Sequence, residues 1–160
     1  MISHTKPITA AVIHCTATPG GRDVSLEDLV QWHVTERGWG APGYHHLVPL
    51  DGIDIPCRDE KYQGAHTRPQ TKGQPGNNGT IGIAYAGGLD PVTFKPADTM
   101  TIAQYAGMER LLDRLALRYG RVEGTMKWLR LYGHRDLDPR KACPSFSVAE
   151  KFGDWWAVEF

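Results

Sequence analysis

The chain has 160 residues, which is the length of one ordinary domain and enough to bury a core without disulfide staples. Its 18 basic and 18 acidic residues cancel, which argues against a general electrostatic binder of nucleic acids or anionic membranes. A hydrophobic content of 41% with 22% charged residues excludes a disordered chain. We therefore expect a single folded domain over residues 1–160, with neither nucleic acid nor a membrane as its partner.

The N-terminal segment does not read as a secretory signal. Its longest early apolar run, Ala10 to Ile13, is too short for the core of a signal peptide. The three cysteines are an odd number, which argues against a disulfide framework and favours synthesis in a reducing compartment. We expect a protein made in the cytosol, without a signal peptide.

The N-terminal half predicts a buried strand, an amphipathic helix and a β-hairpin. Ser25 followed three residues later by Asp28 is typical of a helix N-cap, and Gly38 is a C-terminal stop. Asp51-Gly52 is a tight-turn dipeptide between two apolar runs. The predicted elements are a strand at Ile8–Cys15, a helix from Leu26 to Gly38, and strands at Tyr44–Leu50 and Ile53–Cys57.

The C-terminal half predicts a long polar loop, two strands and two helices. Thr101 and Gln104 can form a capping box at the start of the clearest helix. The predicted elements are a loop at Gly64–Gly79, strands at Thr80–Tyr85 and Trp128–Tyr132, a helix at Thr101–Tyr119, and a last helix capped by Ser147 and carrying Phe152, Trp155 and Trp156. Strands that alternate with helices predict an α/β domain with a central sheet.

Two histidines and one cysteine follow predicted strands and could hold a metal ion. His14 lies near the end of the first strand, His134 follows the last strand, and Cys143 comes nine residues later. Two imidazoles and a thiolate are a known catalytic zinc set, which leaves a fourth tetrahedral position open. The same residues could instead be hydrogen-bonded core histidines and a small buried thiol, and spacing alone does not decide between the two.

Short motifs along residues 8–157 occur in the order of a known family. The segments are Val12–Thr18, Trp32–His33, Arg37–Trp39, Gly43–His46, Asp51–Gly52, Gly64–His66, Asn78, Ile81–Ile83, Gly87–Asp90, Gly133–Asp136 and Lys141–Phe146. Together they resemble the zinc-dependent N-acetylmuramoyl-L-alanine amidases shared by phage endolysins and animal peptidoglycan recognition proteins. The resemblance implies a single α/β domain with a mixed central sheet flanked by helices and a zinc groove at one edge.

The resemblance also implies the ligands and the reaction. It makes His14, His134 and Cys143 the zinc ligands, and Tyr44 and Lys141 the other catalytic positions. The reaction would be hydrolysis of the amide between N-acetylmuramic acid and L-alanine in peptidoglycan. A lysine ammonium would stabilise the oxyanion, and a tyrosine hydroxyl would orient the water or relay its proton. Without the resemblance, Tyr44 would be a packed strand aromatic and Lys141 a solvated charge.

Three further positions are expected to contact substrate: His66, Asn78 and His45. His45 and His46 are neighbours in a strand and point to opposite faces, so at most one of them faces the site. We expect a monomeric phage or prophage endolysin that accumulates in the host cytoplasm and acts on the periplasmic cell wall after release. The alternatives are a cytosolic recycling amidase on soluble muropeptides and a non-catalytic peptidoglycan-binding module.

Overall fold

A five-stranded mixed sheet forms the centre of the molecule in the computed structural model, which describes residues 1–120 and 129–153. The strands of the described residues are β1 Ala10–Cys15, β2 Thr18–Pro19, β3 His46–Val48, β4 Ile55–Pro56, β5 Thr80–Tyr85, β6 Gly88–Leu89 and β7 Arg130–Gly133. The order of the five-stranded sheet is β4-β3-β5-β1-β7, with four neighbouring strands parallel and β4 antiparallel at one edge. Strands β2 and β6 form a separate parallel pair. The predicted α/β class with a mixed sheet is confirmed.

Helices cover both faces of this sheet. They are α1 Leu26–Val30, α2 Ile102–Tyr119, α3 His134–Leu137 and α4 Val148–Lys151. The predicted capping boxes are present, because Ser25 and Thr101 each accept a hydrogen bond from the backbone of the residue three positions on. The first helix departs from the prediction after Val30, where a π-helical turn occupies Gln31–Thr35.

Alternate residues of β1 face different layers, which separates the core from the site. Ala11, Ile13 and Cys15 point into the main core, which α2 covers with Met108 and several leucines. His14 points to the opposite face. A smaller apolar cluster includes Leu29 of α1, Leu47 of β3, Val24 and Ala86. The first strand therefore contributes apolar side chains to one layer and an imidazole to the other.

Several of the observed strands and helices are shorter than predicted. Strand β3 begins at His46 rather than at Tyr44, and β4 covers only Ile55–Pro56. The last helix has the predicted Ser147 cap and ends at Lys151, while Phe152 is buried beyond it. The predicted positions of Trp128, Trp155 and Trp156 lie outside the described residues. Within the described ranges, no helix is long and apolar enough to cross a membrane.

Candidate metal centre

The topology brings the two predicted histidine ligands to the same end of the sheet. His14 is the last residue but one of β1, and His134 opens α3 directly after β7. Since β1 and β7 are parallel neighbours, the residues at their carboxyl ends lie side by side. Cys143 reaches them from the loop between α3 and α4.

The three side chains lie close enough together to hold a metal ion. One ligand atom from each of His14, His134 and Cys143 lies within 4.8 Å of the other two. His14 Nδ1 lies 3.7 Å from Cys143 Sγ. A zinc ion with ordinary bond lengths would hold such a nitrogen and sulfur about 3.6 Å apart. The arrangement therefore fits a small tetrahedral cation, and an imidazole–thiolate donor set favours zinc.

The loop that carries Cys143 is fastened to the sheet by hydrogen bonds. The Arg135 backbone N–H donates to the Cys143 carbonyl at 2.8 Å, which ties the loop to α3. The buried Tyr85 hydroxyl donates to the Pro144 carbonyl at 2.8 Å, which ties it to the end of β5. These contacts hold the backbone of the loop segment from which the sulfur projects.

The Cys143 sulfur receives a backbone donor and faces a positive charge. The Cys15 backbone N–H points at Cys143 Sγ from 3.2 Å. Hydrogen bonding with the Cys15 thiol and burial raise the pKa of Cys143, while this N–H and the Lys141 ammonium oppose the rise. A cation bound beside the sulfur would oppose it further, because the thiolate is the ligand form.

The two histidines are held in the neutral form that metal ions bind. Burial, followed by the neighbouring histidines, lowers the pKa of His14 well below its usual range. Burial lowers the pKa of His134, and the charge of Lys141 lowers it further. Neutral imidazole is the form that ligates a metal, so both residues are ready to bind at neutral pH.

The structure places Tyr44 and Lys141 beside this cluster. The Tyr44 ring lies 5.1 Å from the His14 ring, measured between centroids. Burial raises the pKa of the Tyr44 phenol, so its hydroxyl remains protonated and serves as a hydrogen-bond donor. Lys141 is exposed, and its ammonium acts electrostatically on both His134 and Cys143. Both residues therefore lie close to the predicted ligands, and their catalytic roles stay predictions.

His66 lies behind the cluster rather than along an open cleft. Its side chain is 7% exposed, and its Nδ1 is 3.1 Å from His14 Nε2. A Cβ built on Gly82 would lie 2.5 Å from the His66 ring, so the ring occupies space that only glycine leaves free. In this structure the His66 ring contacts His14, one of the three predicted metal ligands, and its substrate contact stays a prediction. A glycine inside a buried strand marks such a close approach and was the available sequence signal.

His45 and Asn78 also serve the fold in this structure. Both His45 ring nitrogens are engaged by the backbone, because Gly82 N–H donates to Nδ1 at 2.9 Å and the Tyr62 carbonyl lies 2.9 Å from Nε2. His45 is fully buried in this structure. Asn78 accepts hydrogen bonds from the backbone N–H groups of Thr5 and Lys6 at 3.0 and 3.2 Å. It ties the N-terminal segment to the start of β5, and the substrate contacts at His45 and Asn78 stay predictions.

A separate cavity of about 720 Å³ lies away from the predicted site. It is lined by the N-terminal segment, the residues from Pro56 to Lys61 and the end of α2. None of the eight predicted site residues lines it. The chemistry expected of this chain therefore centres on the metal cluster rather than on this cavity.

Comparison with known proteins identifies the family. The family model described as N-acetylmuramoyl-L-alanine amidase matches residues 4–146. An endolysin of Enterobacteria phage T3 is 35% identical over 147 residues, which covers 92% of this chain and 84% of that protein. An endolysin of Klebsiella phage KP32 is 34% identical over 145 residues, which covers 90% of this chain and 82% of that protein.

A solved structure shows the same fold. The endolysin N-acetylmuramoyl-L-alanine amidase of Clostridium intestinale superposes with a TM-score of 0.73 at 22% identity, covering 99% of this chain and 90% of that one. The fold and the sequence relatives define a peptidoglycan amidase. The chain belongs to the N-acetylmuramoyl-L-alanine amidase family, and its activity is hydrolysis of peptidoglycan.

Proposed function

We propose that this amidase depends on zinc held by His14, His134 and Cys143 and that it acts as an endolysin. The observation that carries the proposal is the convergence of these three side chains, whose ligand atoms lie within 4.8 Å of one another. They come from β1, the start of α3 and the loop after it, so separate parts of the fold assemble one site. Zinc in such a site supplies Lewis acidity and activates water for attack on an amide.

The neighbouring side chains have complementary roles in amide hydrolysis. Lys141 is the cation beside the ligand cluster, and its ammonium stabilises the negative charge that develops on the scissile carbonyl oxygen. Tyr44 keeps its phenolic proton, so it orients substrate or water as a donor. The leaving amine of L-alanine must gain a proton, and we assign its relay to the Tyr44 hydroxyl, whose ring lies 5.1 Å from the His14 ring.

The relatives support a biological setting for this activity. The curated relatives from phages T3 and KP32 carry the name endolysin, and this chain aligns with more than four-fifths of each. The substrate is peptidoglycan, cut between N-acetylmuramic acid and L-alanine by one domain that spans residues 1–160. The enzyme accumulates in the cytoplasm of the bacterial host as a monomer and reaches the periplasmic wall when lysis begins.

Digestion of purified sacculi tests this proposal. Zinc-loaded protein should release stem peptides with free L-alanine amino termini, which mass spectrometry detects. Treatment with a chelator should abolish their release, and added zinc should restore it. Equal release with and without chelator would remove the metal from the mechanism. Release of peptides that start at another residue would assign a different bond.

A further inference from the structure

A chain of hydrogen bonds runs from the backbone through two side chains to His14. The Thr80 hydroxyl lies 2.7 Å from the Gly76 carbonyl and 3.3 Å from His66 Nε2. On the other side of the ring, His66 Nδ1 lies 3.1 Å from His14 Nε2. His14 then presents its remaining nitrogen, Nδ1, towards Cys143 Sγ. The series of hydrogen bonds therefore ends at His14, whose Nδ1 is the atom that would bind the metal.

Counting the protons along this series of hydrogen bonds fixes the tautomer of each imidazole. A carbonyl oxygen can only accept, so the single Thr80 hydroxyl proton goes to Gly76, and the Thr80 oxygen accepts from His66 Nε2–H. A neutral His66 with its proton on Nε2 has a bare Nδ1, which accepts from His14 Nε2–H. The proton of His14 is thus on Nε2, and the lone pair of Nδ1 is free for a metal ion.

We propose that His66 is a positioning residue that fixes the tautomer and the ring orientation of His14 for metal binding. This inference rests on the proposed metal site. A metal-bound histidine commonly donates its second ring N–H to a neighbouring acceptor, which orients the ring and makes it a better ligand. The acceptor is usually a carboxylate, a carbonyl or water, and in this protein a second imidazole has that place.

The surrounding fold keeps His66 in this position. The His66 backbone N–H donates to Asn77 Oδ1 at 2.9 Å, which fixes the loop segment that carries the ring. The ring lies over Gly82 in the middle of β5, where any larger residue would meet it. Thr80 and Gly82 point to the same face of that strand, so β5 supports both the ring and its hydrogen-bond partner.

Metal affinity is the direct measure of this role. Replacement His66→Leu removes the acceptor and should weaken zinc binding by about 10- to 100-fold, as loss of such partners does at other sites. His66→Asn places an amide oxygen near the former Nδ1 and should recover most of that affinity. Zinc dissociation constants come from competition with a chromophoric chelator. The d–d spectrum of cobalt-loaded protein reports whether the ligand geometry changes.

His46 provides a control of matched burial. It is 7% exposed, like His66, and it hydrogen-bonds to Glu60 at 2.9 Å rather than to a metal ligand. His46→Gln should lower the stability of the fold and leave the zinc dissociation constant unchanged. If it weakens zinc binding as much as His66→Leu does, the effect is general destabilisation and the inference is overturned.

The remaining outcomes separate this inference from the proposed function. If wild-type protein binds no zinc, the zinc dependence stated in the proposed function is refuted, and the role of His66 is refuted with it. If wild-type protein binds zinc and His66→Leu binds it equally well, the metal site stands and the role of His66 is refuted. If His66→Asn binds zinc as weakly as His66→Leu does, and circular dichroism shows both variants folded, the hydrogen-bond acceptor does not determine zinc affinity. The inference is then likewise refuted.

Discussion

Replacement of Gly82 by alanine would test whether the packing of His66 is as tight as the structure indicates. The added Cβ would lie 2.5 Å from Cγ and Cδ2 of His66 and 2.8 Å from its Nδ1. Real Cβ atoms do not approach ring atoms so closely, so the ring or β5 must move. Overpacking of this kind costs about 1–3 kcal/mol in the free energy of unfolding. For a domain of this size, each kcal/mol lowers the midpoint of thermal unfolding by about 2–4 °C.

A double-mutant cycle in urea isolates the contact. Gly82→Ala and His66→Ala should each destabilise the protein, but the double variant should lose about 0.5–3 kcal/mol less than the two costs added together, because removing the ring relieves the clash. Gly40→Ala is the control, since a Cβ there meets nothing within 4 Å and the change should stay within about 0.5 kcal/mol. Additive costs in the cycle would refute the reasoning, as would a Gly82→Ala variant of wild-type stability and zinc affinity.

Three further predictions concern Lys141, His45 and Asn78. Lys141→Ala should retain one zinc ion and lower kcat by about 100-fold, as removal of an oxyanion donor does, and a wild-type rate on sacculi would exclude that role. Burial lowers the pKa of His45 from 6.5 to about 4. Between these two pH values the His45 imidazole is protonated in the unfolded chain and neutral in the folded protein. His45 therefore lowers the free energy of unfolding by about 3 kcal/mol as the pH drops from 6.5 to 4. In urea unfolding of chelator-treated protein, the free energy of unfolding should fall less over this pH range in His45→Gln than in wild type. Asn78→Ala should lower the free energy of unfolding by about 0.5–1.5 kcal/mol, because it removes exposed hydrogen bonds to the N-terminal segment, and should leave KM for sacculi unchanged. A raised KM would support the predicted substrate contact.

The elements that are encoded locally could be predicted from the sequence. The helix predicted from Thr101 is present with its Thr101–Gln104 capping box, because both partners lie within one turn. The strand Thr80–Tyr85 was also predicted with its bounds, since an apolar β-branched run between glycines signals a buried strand. The π-helical turn after Val30 was not predicted, because its hydrogen bonds depend on packing rather than on local propensity.

The ligand set and its supporting residues differ in how far sequence could predict them. His14, His134 and Cys143 follow from motif order, and the fold brings them together. The position of His66 depends on the hydrogen bond between its ring and His14, which lies 52 residues away in the chain. A polar residue at the start of a glycine-rich loop looks like a substrate contact when tertiary packing is unknown. The loop folds back over the sheet, and the sequence signal of this contact, Gly82 inside a buried strand, lies in another element than His66.

The most direct test of the central claim compares zinc content and product formation in wild type and Cys143→Ser. Cys143 supplies the one thiol among the three predicted ligands, and its sulfur lies 3.7 Å from His14 Nδ1. We predict one zinc ion per chain and free L-alanine amino termini in sacculi treated with wild-type protein, and loss of both in the variant. A Cys143→Ser protein that keeps stoichiometric zinc, or wild-type protein that cuts the amide without zinc, would contradict the account.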